Sequence, residues 1–358
     1  MAARRRVSSS GWVAPLLRIA GICLAALVFC SSSSAIEPTT RWPCQSPCSR
    51  AGVRTSSASN DSATPRHVMA SDVGIPDNSF PENLTSTPDG NFFVGSLNLG
   101  GVVKVRAGAA VEQFVRPGAN GSRSVLGVAA DPDRNLLYIC SNDMTGIGVA
   151  GPTDIKGAWV KSFDLGSGAA VGSFPLSDPK SMCNDIAIGA DGSVYVTDSF
   201  TPNIFRLAPG ASALEVFTTD PRLAPAPNGV GLDGIAFGAD GHLYVTQFIP
   251  GALFRITIRD GRAFGVTPLR PSRPLDRPDA LRTFGDHFLL VEGAGNLDRV
   301  TIRGDDAVIE TIQDGFAEPV SVTIIGSNAW VAEGKSSFLF GANKGKDPGP
   351  FTLRAVAL

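Results

Sequence analysis

Histidine is scarce in this chain: His67, His242 and His287 are the only three in 358 residues, and no two have paired spacing. That argues against a Ser-His-Asp triad and against a histidine-held zinc site. No G-x-S-x-G elbow occurs, and no glycine-rich phosphate loop follows a strand and opens a helix. Charged residues make up only 18%, with a formal net charge of −2, so there is no basic footprint for nucleic acid. Beyond the N-terminal region, no apolar run approaches the ~18 residues of a membrane span. No helical spacing of Leu or Ala persists for four turns. Cysteine is sparse too, at six. Cys44 and Cys48 are too few and too close for zinc without partners. Cys140 and Cys183 could form a disulfide or stay two buried thiols.

Glycine and proline are plentiful, at 40 and 26, and hydrophobic residues reach 43%. Many turns with few charges suit an all-β protein of short strands. The N-terminus stands apart. Arg4, Arg5 and Arg6 precede an apolar run from Ile19 to Cys30 and then SSSSA. Residues 1–35 are therefore expected to be a secretory signal peptide or N-terminal anchor, which implies export to a periplasmic or extracellular space. Residues 36–72, rich in Ser, Thr, Pro and Arg, are expected to be a disordered linker.

The rest of the chain repeats itself. A short apolar strand, a turn with Asp, Gly or Asn, and a strand ending in an aromatic-aliphatic pair recur six times. Examples are IAIGADGSVYVTD, IAFGADGHLYVTQ and VTIIGSNAWVAE. Aligned on Val94, Ile139, Val196, Val245, Leu290 and Val331, the spacings are 45, 57, 49, 45 and 41 residues. Such a period with strand-turn-strand content predicts an all-β six-bladed β-propeller with four-stranded antiparallel blades over residues 73–358. The long interval holds Met144 to Trp159, an expected excursion over one face. Either the final FTLRAVAL or the segment near His67 to Val73 should complete a blade assembled from both ends, which removes an open sheet edge.

Three oxygen-bearing residues share one phase of this repeat. Glu82, Asn184 and Asp233 each lie eight residues before the glycine of an Asp-Gly turn. The first strand of a propeller blade lines the central channel, so all three are expected to converge at one mouth. Isolated charge there is expensive, and a divalent cation offsets that penalty. Oxygen-only donors favour Ca²⁺, with Mg²⁺ or Mn²⁺ as alternatives. At the same phase the second blade offers Leu126 or Gly127, the fifth Asp279, and the sixth Pro319 just after Glu318. Asp279 and Glu318 are therefore expected to face the channel and Asn142 to lie near its mouth, as substrate-binding candidates. Asp185 should point into the blade, where it binds a second cation or pairs with backbone N–H groups. Glu292 and Glu333 are expected to be blade-edge turn residues.

FPENLTSTPDG, MCNDIAIGADGSVYVTDS and LDGIAFGADGHLYVT together resemble segments of the calcium-dependent lactonase propellers. These are the gluconolactonase and senescence-marker (regucalcin) family and, more distantly, the paraoxonases. The resemblance implies one Ca²⁺-type ion held by Glu82, Asn184 and Asp233, which polarises a lactone carbonyl and lowers the pKa of a bound water. Asp233 would be the candidate base. The family's gluconolactonases place an Asn in the second blade where this chain has Leu126 or Gly127, and an apolar lining there suits a more hydrophobic lactone or ester. Two alternatives stand beside a small-molecule hydrolase. One is a strictosidine synthase-like condensing enzyme, whose catalytic acid would correspond to the last-blade Glu318. The other is a non-catalytic exported propeller that binds a ligand or protein.

Overall fold

The computed structural model describes residues 70–227 and 229–358, so the expected signal segment and nearly all of the expected linker lie outside the described residues. Six antiparallel sheets follow one another along the chain as blades 1 to 6. Their inner strands are Pro81–Ser86, Ser124–Asp131, Cys183–Ile188, Leu232–Phe237, Pro278–Phe284 and Pro319–Ile325. Each inner strand packs beside the next, and blade 6 closes on blade 1.

Both ends of the chain build blade 6. Pro319–Ile325, Asn328–Glu333 and Phe351–Ala357 are joined by Val73–Ile75, which pairs Ile75 with Phe351 as the outermost strand. FTLRAVAL and the N-terminal segment therefore both contribute, and closure leaves no gap in the ring. Blade 5 departs from four strands: the short Arg270–Pro271 pairs in parallel with its outermost strand. Among the described residues no helix is long and apolar enough to cross a membrane.

Because each blade is covered on both faces, its middle strands read as nearly continuous apolar runs rather than as alternation. In blade 5, Phe288 and Leu290 pack toward blade 4, whereas Leu289 and Val291 pack toward blade 6. The hydrophobic core is accordingly six clusters, one between each neighbouring pair of blades. The cluster between blades 2 and 3 contains a disulfide, Cys140–Cys183, which settles the open cysteine question in favour of a bond.

The two rims of the ring differ in chemistry. The hairpins from inner to second strand carry the polar Asp-Gly and Gly-Asp turns. The opposite rim holds the starts of the inner strands and the connections from second to third strand, as the pairings Pro81 with Ser96 and Pro278 with Glu292 require. Of the ten large hydrophobics exposed among the described residues, six lie in those connections: Leu99, Ile147, Ile155, Phe200, Ile249 and Phe340. The rim where the inner strands begin is therefore the apolar one. Its longest loops, 143–157 in blade 2 and 334–350 in blade 6, flank blade 1 in the ring.

Candidate functional site

The same irregularity recurs at the start of all six inner strands. Register shifts fall between Pro81 and Leu84, Val125 and Val128, Cys183 and Ile186, Leu232 and Ile235, Pro278 and Leu281, and Pro319 and Ser321. A β-bulge frees residues from the ladder and re-aims their side chains. The first freed residues are Glu82, Leu126, Asn184, Asp233, Asp279 and Val320, one per blade. Four of these positions are oxygen donors in one ring at the channel mouth. Leu126 instead packs into the core between blades 2 and 3, and Val320 against the core between blades 6 and 1. The second-blade position is Leu126, and the sixth-blade position is Val320 rather than Pro319.

In blades 1, 5 and 6 a residue with a left-handed backbone precedes the proline that opens the inner strand. Phe80, Arg277 and Glu318 have φ of 42°, 56° and 51°. Their carbonyls accept hydrogen bonds from Leu97, Gly293 and Gly334, each just past the end of the second strand. The proline then places Glu82 and Asp279 one residue into the strand, so Pro-Glu and Pro-Asp are one local device in two blades.

Ligand atoms of Glu82, Asp233 and Asp279 all lie within 4.8 Å of one another. Asn184, Asp233 and Asp279 are buried, at 1%, 4% and 7% exposure. The amide of Asn184 is oriented from outside: its Nδ2 donates to Ser199 Oγ at 2.8 Å, and Ser199 Oγ donates to the Leu232 carbonyl at 2.6 Å. That leaves Asn184 Oδ1 buried without a hydrogen-bond partner, and Glu82 Oε2 is in the same condition. Orphaned buried oxygens are rare in folded proteins and require an account. The two at the ring, Asn184 Oδ1 and Glu82 Oε2, are hard-oxygen donors beside crowded carboxylates, and that donor set fits a divalent cation of the calcium type.

Electrostatics agree with the geometry. Burial, then the nearby carboxylate of Asp185, pushes Asp233 up to about 7, while the neighbouring Asp279 and Asn184 side chains and the charge of Arg282 work in the opposite direction. Glu82 and Asp279 are held well above the usual carboxylate range, first by burial and then by the charge of Asp233. The folded, metal-free protein therefore retains protons that the unfolded chain releases above about pH 4. Stability from Asp233 is fully present below that pH and is lost as pH rises toward about 7. In chelator, the melting temperature should fall between about pH 5 and pH 8, and added Ca²⁺ should raise it more at the upper pH than at the lower. A melting temperature flat across that range, and indifferent to Ca²⁺, would contradict the site.

The hydroxyls behind the ring were not visible in the sequence. Thr197 Oγ1 accepts from Asp185 N at 3.0 Å and donates to the Asp233 carbonyl at 2.6 Å. Thr246 Oγ1 repeats this between Gly234 N and the Asp279 carbonyl, at 2.7 and 2.9 Å. Each threonine sits next to last in its second strand and stitches its blade to the next one. The Thr after the central Val in VYVTD and LYVTQ is their only sequence signal.

Other candidates are placed elsewhere. Asn142 is buried, but its amide is fully engaged with the Cys183 backbone, donating to the carbonyl at 2.8 Å and accepting from N–H at 3.0 Å. It braces blade 2 against blade 3. Glu318 turns away from the ring, and its Oε2 accepts from Ser336 Oγ and Ser337 N, each at 2.9 Å. That capping role leaves the last blade without a free acid at the ring. Glu292 and Glu333 accept from the backbone N–H groups of Asp276 and Ala317, anchoring the segments that lead into blades 5 and 6. His242 and His287 lie at hairpins on the polar rim, away from the carboxylates. Asp185 takes backbone N–H bonds from Ile186 and Ile235 and a side-chain partner, Arg282.

No known protein family and no curated protein matches the sequence. Solved structures resemble it in shape. The allergen Mala s 1 of Malassezia sympodialis is 16% identical, with TM-score 0.63 over 79% of this chain and 94% of its own. The PQQ-bound aldose sugar dehydrogenase of Streptomyces coelicolor is 17% identical, with TM-score 0.58 over 80% and 96%. A gluconolactonase of Xanthomonas campestris is 14% identical, with TM-score 0.54 over 80% and 95%. At these identities the likeness is one of fold, and the fold is the six-bladed propeller.

Proposed function

We propose that this protein is an exported, metal-dependent hydrolase of lactones or related esters with an apolar acyl part. The observation that carries this reading is the ring of Glu82, Asp233 and Asp279, within 4.8 Å of one another, beside the unpartnered Asn184 Oδ1. These four residues would hold the ion, with Ca²⁺ favoured by the oxygen-only set. A bound divalent cation supplies Lewis-acid polarisation of an ester carbonyl and lowers the pKa of water at the site. Asp233 is the candidate proton acceptor, held against Glu82 and Asp279 in the ring. The six exposed hydrophobics Leu99, Ile147, Ile155, Phe200, Ile249 and Phe340 give apolar surface to the rim on which the ring opens. A sugar lactone would leave that surface unused, whereas an alkyl-bearing lactone would bury part of it.

A propeller that shares this fold is a gluconolactonase, which supports lactone hydrolysis as the reaction type. The Cys140–Cys183 bond supports export, because disulfides persist in oxidising compartments. The deciding experiment is hydrolysis of a panel of alkyl lactones, aryl esters and gluconolactone by the intact protein, with and without chelator. Turnover should vanish on chelation, return with Ca²⁺, and favour alkyl substrates over the sugar lactone. Turnover that survives exhaustive chelation rules out the metal role. Ion binding without turnover across the panel makes the protein a binding propeller instead.

A further inference from the structure

A second layer of polar residues lies behind the carboxylate ring, and one guanidinium organises it. Arg282 sits on the inner strand of blade 5, three residues beyond Asp279. Its Nη1 donates to Asp185 Oδ2 at 2.6 Å and to the Leu281 carbonyl at 2.8 Å. Its Nη2 donates to Asn83 Oδ1 at 2.7 Å and to Asp185 Oδ1 at 3.1 Å, with Ser321 Oγ at 3.4 Å. Asn83 Nδ2 in turn donates to Asp185 Oδ1 at 2.9 Å. Blades 1, 3, 5 and 6 are thus tied together by one side chain.

Asn83 and Asp185 are each coupled to a ligand candidate. Asn83 follows Glu82 in the first bulge, and Asp185 follows Asn184 in the third. Ile235, whose N–H reaches Asp185 Oδ2 at 3.2 Å, is two residues beyond Asp233. The Asp185 side chain is only 1% exposed. A carboxylate so buried requires a cation. The planar fork of arginine carries a permanent charge and meets both carboxylate oxygens at once, which a lysine cannot do. Both oxygens of Asp185 are therefore engaged. Of the two readings the sequence left for it, backbone N–H groups of Ile186 and Ile235 provide one. Where a second cation was the other, the protein places its own guanidinium.

We propose that Arg282 is a positioning residue of the ion site, a built-in cation that fixes the three bulges and leaves room for one metal ion per chain. This rests on the ligand reading above. Calorimetric titration of the intact protein with Ca²⁺ should give one ion per chain. Arg282→Met should bind Ca²⁺ at least ~10-fold more weakly, and Arg282→Lys should recover only part of the loss. If Arg282→Met fails to fold, Arg282→Met with Asp185→Asn removes both charges and avoids an unpaired one. That double variant should fold and still bind at least ~10-fold more weakly. Wild-type affinity in either folded variant, or two ions on the wild-type chain, overturns the proposal. No Ca²⁺ uptake by the wild-type chain sinks the ligand set itself, and the positioning role with it.

Discussion

Asp233→Asn should abolish lactone and ester turnover while making the metal-free protein more stable. Loss of a positioned proton acceptor lowers rates by about 10²–10⁴-fold, and loss of one anionic donor weakens the ion as well. The stability change has the opposite sign. At about pH 8 the metal-free ring is forced to hold carboxylates that burial and mutual repulsion disfavour. Replacing one with an amide removes a penalty on the order of 2–4 kcal/mol, seen as a melting temperature several degrees higher in chelator. Calcium should then stabilise the variant less than it stabilises the wild type. The combination separates a metal site from a structural acid, since removing a structural acid would lower stability. Retained turnover, or a less stable metal-free variant, would refute the role given to Asp233.

Gly234→Ala should damage the site without touching any donor. A Cβ at Gly234 would stand 2.4 Å from the Asp279 carbonyl oxygen and 2.5 Å from Leu281 N. Those are backbone atoms and cannot rotate away, so the inner strand of blade 5 must move. The same strand carries Asp279 and is held to Gly234 through Thr246. Overpacking of this kind costs about 2–3 kcal/mol, or roughly 4–10 °C in melting temperature. Displacement of Asp279 should weaken Ca²⁺ by at least ~10-fold, since ligand positioning is lost. Gly265→Ala is the control, because a Cβ there meets nothing within 4 Å. Equal stability and affinity in both variants would show that the close approach of blades 4 and 5 is irrelevant to the ring.

The repeat was legible because each blade is a local object. A hairpin, its Asp-Gly turn and its apolar strands lie within about 50 residues, and period-2 geometry projects their phase onto space. The common phase of Glu82, Asn184 and Asp233 located three ring positions, and Asp279 followed after a one-residue correction in the fifth hairpin. Glu318 did not reach the ring. A left-handed backbone before Pro319 turns its carboxylate toward the Ser336–Ser337 turn, and phase counting assumes an extended strand. Asn142 was placed near the right rim, but the blade 2–3 brace consumes its amide. Arg282 was invisible for another reason. Its partners Asp185 and Asn83 lie 97 and 199 residues away, and only ring closure brings them together.

The six bulges in phase give this scaffold a modular mouth. Each blade offers one socket whose occupant can be exchanged without rewriting the strand behind it, because the bulge is made by the backbone register and not by the side chain it presents. Leucine and valine occupy two of these sockets while oxygen donors fill four. A lineage could therefore move between ion affinities and substrate polarities by single substitutions at six predictable addresses, with the folding information left intact between them.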